Sequence, residues 1–73
     1  MSLDQSVRDR ITRECGPTLA AKIISCMENH AQYVGETLRE RVKNCLSKTM
    51  TAEEYSNNKD QIIGILSWWI TLG

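Results

Sequence analysis

The chain is expected to be all-α, as three helices in one domain spanning residues 1–73. Three observations predict this. Apolar residues recur at spacings of three and four along most of the chain, the period of one helix face. The only proline sits beside a glycine at an evident boundary. No run shows the two-residue alternation of a half-buried strand, and there are no repeats or low-complexity segments.

Helix 1 is expected at about 3–15. Leu3, Val7, Ile11 and Cys15 recur every fourth residue and form one narrow apolar stripe. Ser2 with Gln5 offers a capping box. Asp4–Arg8, Asp9–Arg13 and Arg10–Glu14 are opposite charges at i,i+4, each worth a few tenths of a kcal/mol. The pair Gly16-Pro17 then ends one helix and starts the next, glycine and proline standing where each is preferred.

Helix 2 is expected to run from 17 to about 49. Leu19, Ile23, Cys26, Met27, His30, Ala31, Val34, Leu38, Val42, Cys45 and Leu46 keep a single face. Gly35 lies within the run and costs about 1 kcal/mol against alanine. The apolar phase from Val34 to Leu38 to Val42 carries the reading through it. A helix of that length is about 50 Å long. "TAEE", Thr51–Glu54, is a capping box that starts helix 3, expected at about 52–71.

The lengths imply a long central helix flanked by two antiparallel helices laid end to end, a flat two-layer slab. A compact three-helix bundle is the alternative if helix 2 breaks at Gly35.

The most apolar stretch is the last one, "IIGILSWWITLG". Eight of the eleven residues from Ile62 to Leu72 are aliphatic or tryptophan, so they cannot all face one neighbouring helix. At about 16 Å as a helix the stretch is too short to cross a bilayer. Several exposed side chains of this size would form the kind of patch that marks an interface. A helical homodimer is the expected solution, with Leu38, Val42, Ile62, Ile65, Leu66, Trp68 and Trp69 at its interface.

The formal net charge is zero, with nine acidic and nine basic residues, so no global field draws the chain to nucleic acid or an anionic membrane. The amino-terminal segment is polar and does not read as a secretory signal. The cysteines Cys15, Cys26 and Cys45 are odd in number. They are expected to be free thiols in a reducing, intracellular (cytoplasmic) setting, packing as small hydrophobes.

Chemistry-bearing patterns are sparse. Cys26 and His30 at i,i+4 have a ligand spacing. A continuous helix 2 would hold Cys26 and Cys45 about 28 Å apart, too far for one metal site. The same pair is the only cysteine–histidine pairing close in sequence, with no Gly-rich oxyanion loop beside it. No enzyme activity, metal or cofactor is expected. A local net charge of +3 lies in "RERVKNCLSK", where Arg39, Arg41, Lys43 and Lys48 stand against Glu40 alone.

The expected function is therefore non-enzymatic: a helical interaction protein of the adaptor, chaperone-like or inhibitor kind, self-associating through its C-terminal helix and presenting a surface to another protein. The alternative is double-stranded nucleic acid, RNA in particular. Arg39, Arg41, Lys43 and Lys48, doubled by a two-fold axis, would then contact phosphates by shape rather than by base reading.

Overall fold

Residues 3–72 are described by a computed structural model. Four α-helices follow in order: α1 (Gln5–Cys15), α2 (Pro17–Asn29), α3 (Gly35–Thr49) and α4 (Ala52–Leu72). Among the described residues there is no strand.

The expected long second helix is two helices. The chain leaves α2 at His30, whose φ of −123° is no longer helical and whose N–H reaches only back to the Met27 carbonyl. Val34 is extended, at φ −135° and ψ 158°. Gly35 then takes φ +58°, a left-handed conformation that an L side chain rarely adopts. The apolar phase that seemed to run through Gly35 misled because Val34 is not on the buried face: it is 72% exposed. The inward stripe of α3 begins only at Leu38. The break also removes the slab. The molecule measures 30 × 24 × 18 Å, and a continuous helix over 17–49 would be about 50 Å long.

At the start of α1 the cap is Asp4. Its Oδ1 accepts the Val7 N–H at 3.0 Å and the Ser6 hydroxyl at 2.7 Å. Asp4 itself is extended, as a capping residue should be. The capping box expected at Ser2 falls outside the described residues, and Gln5 donates to Asp9 instead. Of the three expected i,i+4 ion pairs, Arg10–Glu14 is formed at 2.6 Å. Arg8 reaches across to Glu28 near the end of α2. That contact sets the start of α1 beside the end of α2, so the two run as antiparallel neighbours around Gly16. Gly16 adopts φ 82° and ψ 159°, a combination essentially restricted to glycine.

Half of the expected capping box at α4 is present. Thr51 Oγ1 accepts the Glu54 N–H at 3.1 Å. The Glu54 carboxylate, expected to reach back to the Thr51 amide, instead accepts from Lys22 Nζ of α2 at 2.9 Å.

Packing runs α1 on α2, α2 on α3, α3 on α4, and α1 back on α4. The core draws on every helix: Val7 and Ile11, then Ala20, Ile23, Cys26 and Met27, then Leu38, Val42 and Leu46, then Ile62, Ile65, Leu66 and Trp69. No polar or charged residue among those described is buried with them. Ile62, Ile65, Leu66 and Trp69 stand at i, i+3, i+4 and i+7, one stripe of α4, so the tail is not buried on all sides as its composition implied. The remaining apolar residues of the tail flank that stripe and are half-covered. Trp68 lies under the Arg10 guanidinium, 4.2 Å from the ring centre. Leu72, at 58% exposure, is the tail's one exposed large hydrophobic residue.

The expectation of three free thiols is corrected. Cys26 and Cys45 form a disulfide between α2 and α3, with their Cα atoms 5.7 Å apart. Only Cys15 is free. The 28 Å separation followed from reading the helix through Gly35. Once the chain turns at 30–34, α3 folds back beside α2 and brings the two sulfurs together. The argument from free thiols to a reducing compartment loses its premise with them. Among the described residues no helix is long and apolar enough to cross a membrane.

Candidate functional site: the outer face of helix 3

The residues expected at a dimer interface lie within the chain's own core. Leu38, Val42, Ile62, Ile65, Leu66 and Trp69 are each at most 3% exposed, and Trp68 is half-buried. The buried stripe of the apolar tail that called for a second chain belongs to the chain's own core, with α3 and α1 packed on α4.

Apart from Val34 and Leu72 the exposed large residues are polar, and α3 carries the four cations expected to act together. The four basic residues expected to act as one patch are divided by the helix. Arg39 and Lys43 are one turn apart and each is paired within α3. Arg39 lies 3.6 Å from Glu36, and Lys43 lies 3.7 Å from Glu40. Arg39 is also partly withdrawn from solvent, with its Nε buried and without a hydrogen-bond partner among the described residues. Arg41 and Lys48, two turns apart, share a different face, since seven residues nearly complete two turns of an α-helix. Neither has an acidic partner among the described residues. The Arg41 guanidinium stacks over the Tyr33 ring at 4.1 Å. Tyr33 in turn lies 6.2 Å from the His30 ring. The 30–34 turn thus supplies an aromatic shelf that holds Arg41 in place, at a worth of about 0.5–1 kcal/mol for an exposed cation–π contact.

Two shallow depressions meet on this face. One, of roughly 350 Å³, is lined by His30, Arg41, Asn44, Cys45, Lys48 and Thr49. The other, of roughly 520 Å³, is lined by Glu36, Thr37, Glu40, Arg41 and Asn44. They share Arg41 and Asn44, so they form one valley. It is cationic at the Lys48 end and acidic at the Glu36–Glu40 end. The disulfide forms part of its floor through Cys45, which is half-exposed, while Cys26 is fully buried at 1%. Sequence reasoning found the cations but missed the valley, because the valley exists only once the helix breaks before Gly35. The clue was Gly35 itself, together with two cysteines that the break brings together.

The cysteine–histidine pairing noted in the sequence is not a free thiol beside an imidazole. His30 lines the valley, but the Cys26 sulfur is bonded to Cys45. Its remaining contact is with Thr49 Oγ1, at 3.9 Å. Among the described residues no group of three His, Cys, Asp or Glu side chains is placed to hold a metal ion.

Fold and site together define a four-helix module with a closed apolar core and one open, bipolar polar face. Comparison with protein families, with curated proteins and with solved structures finds no match for the chain.

Proposed function

We propose that the chain is a non-enzymatic helical interaction module whose working surface is the valley on α3. The carrying observation is that one side of α3 bears Arg41 and Lys48, which have no acidic partner among the described residues, next to Glu36 and Glu40, which are paired with Arg39 and Lys43. Such a surface fits a polypeptide segment with an acidic side chain next to a basic one. Shallow, open relief of this kind suits a protein partner better than an enclosed small molecule.

Double-stranded RNA fits it less well. The four-cation patch on which that reading stood is reduced to two unpaired cations. Glu36 and Glu40 offset the charge of the other two, Arg39 and Lys43. Self-association remains a form of the same proposal, with the site moved off the tail. A two-fold axis across α3 would set Arg41 and Lys48 of each copy against Glu36 and Glu40 of the other.

The test is an NMR titration of the isotope-labelled chain with three probes: a peptide carrying adjacent acidic and basic residues, an all-acidic peptide, and a short RNA duplex. The mixed-charge peptide is expected to shift the amides of Arg41, Asn44 and Lys48 at one end and Glu36 and Glu40 at the other. Light scattering over a concentration series reports whether a second copy is the partner. Shifts produced only by RNA, or shifts centred away from α3, would overturn the proposal.

A further inference from the structure

The Cys26–Cys45 disulfide joins a buried cysteine to a partly exposed one that lines the valley. Cys26 is 1% exposed and packed among core side chains. Cys45 lies on the valley floor with Arg41, Lys48 and Thr49 around it. Of the two bonded cysteines, Cys45 is therefore the one on the approach of a sulfur nucleophile, in a depression also lined by Arg41 and Lys48, which have no acidic partner among the described residues. The third cysteine makes a poor competitor. Burial of Cys15 pushes its thiol pKa up, and the neighbouring Glu14 carboxylate adds to this. Its nucleophilic thiolate form is correspondingly scarce.

We propose that Cys26–Cys45 is a site of thiol–disulfide exchange, attacked at Cys45 by a small anionic thiol that Arg41 and Lys48 draw into the valley. This goes beyond the interaction reading and does not need a macromolecular partner. The external thiolate bonds to Cys45 Sγ. The Cys26–Cys45 bond breaks, and its electron pair leaves with Cys26 Sγ, which then takes a proton from water. Thr49 Oγ1 lies 3.9 Å from that sulfur but donates its proton to the Cys45 carbonyl at 2.8 Å, so it must turn before it can bond to the departing thiolate. A second external thiolate attacks the external sulfur of the mixed disulfide and releases Cys45 as thiolate. The balance is one protein disulfide reduced and two external thiols joined as their disulfide. In the reverse direction Cys26 is the resolving sulfur. It attacks Cys45 and expels the adduct. While the adduct lasts it occupies the cationic end of the valley.

The experiment measures the rate of disulfide reduction by mercaptoethanesulfonate, which is anionic, and by cysteamine, which is cationic, at matched thiolate concentrations. At low ionic strength the anionic thiol is expected to be faster by roughly five- to twentyfold, as two unscreened unit charges near the reacting sulfur imply. The preference should fall to about unity in the Arg41→Gln/Lys48→Gln double variant. Mass spectrometry of the acid-quenched reaction should place the adduct on Cys45. Equal rates for the two thiols, a preference unchanged in the double variant, or an adduct on Cys26 would each overturn the proposal. Where reduction loosens the wild-type chain, the Cys26→Ser variant supplies the second arm. Its Cys45 thiol should react with an anionic aromatic disulfide several-fold faster than with a neutral one, relative to Cys15 in the same molecule. No such difference would overturn the proposal equally.

Discussion

Cutting the covalent link between α2 and α3 tests both the fold and the redox proposal, and its size follows from the chain. The linked cysteines are 19 residues apart in sequence. Closing a loop of about 20 residues removes about 11 cal/mol/K from the unfolded ensemble, or about 3 kcal/mol at 25 °C. A chain of 73 residues is expected to have roughly 4–11 kcal/mol of total stability. The core on either side of the link, Ile23 and Met27 against Leu38, Val42 and Leu46, is fully buried without help from Cys45. Reduction should therefore weaken the fold without abolishing it. At about 4–8 °C per kcal/mol for a domain this small, the melting temperature should fall by roughly 12–24 °C. The assay is thermal unfolding followed by circular dichroism, on the wild type with and without reductant and on the Cys45→Ser variant. The variant should melt near the reduced wild type and respond to reductant by no further shift. Two results would refute the reasoning. A melting point unmoved by reductant would mean that the link does not constrain the chain. Loss of the helical signal at 25 °C on reduction would mean that the buried contacts alone do not hold α3 against α2.

Three further outcomes follow from the packing and the caps. Trp69→Ala removes the largest fully buried side chain and should lower the stability read from urea unfolding by about 3–5 kcal/mol; a cost below 1 kcal/mol would contradict its burial. Gly64→Ala places a methyl group in open space within α4 and should raise stability by up to about 1 kcal/mol. Gly35→Ala, at φ +58°, should lower it by about 1–2 kcal/mol, so the two alanine variants should move the denaturation midpoint in opposite directions. The Asp4 carboxyl is held below its ordinary value of 3.8 by the Ser6 hydroxyl first and the Val7 amide next. A lowered folded-state pKa gives stability that is present above 3.8 and is lost as pH falls through the folded value. The Val7 amide shift, followed by NMR below pH 4, should report a midpoint under 3.8 that vanishes in Asp4→Ala; a midpoint at or above 3.8 would remove Asp4 as the cap.

The parts of the fold legible in the sequence were those with local physical causes. Gly16-Pro17 divides α1 from α2 because proline suits a first helical position and glycine alone tolerates the geometry before it. Thr51 starts α4 because its hydroxyl answers an amide three residues on. The all-helical class followed from the three-to-four spacing in every segment. What was not legible depends on distant contacts. Val34 matches the apolar phase of its neighbours, yet it points into solvent. Its own apolar character does not distinguish it from Leu38; the neighbouring Gly35 and the turn at 30–34 do. That single misreading produced the others. A continuous helix kept Cys26 and Cys45 apart, hid the disulfide and extended the molecule. The candidate site was half-legible for a similar reason. Composition located the cations Arg39, Arg41, Lys43 and Lys48, but helix geometry and the nearby Glu36 and Glu40 decided which two remain unpaired.

The helix order has a consequence in time. Each helix packs on the next one along the chain, and distant segments meet chiefly where α1 packs on α4 and where Lys22 of α2 pairs with Glu54 of α4. Helical domains with such local contacts close in microseconds to milliseconds. Disulfides form over seconds to hours. The chain is therefore assembled long before it is oxidised. When the oxidant arrives, Cys26 is already enclosed beside Cys45 and Cys15 stands elsewhere. An odd set of cysteines, which on an unfolded chain would allow three pairings, is left with one.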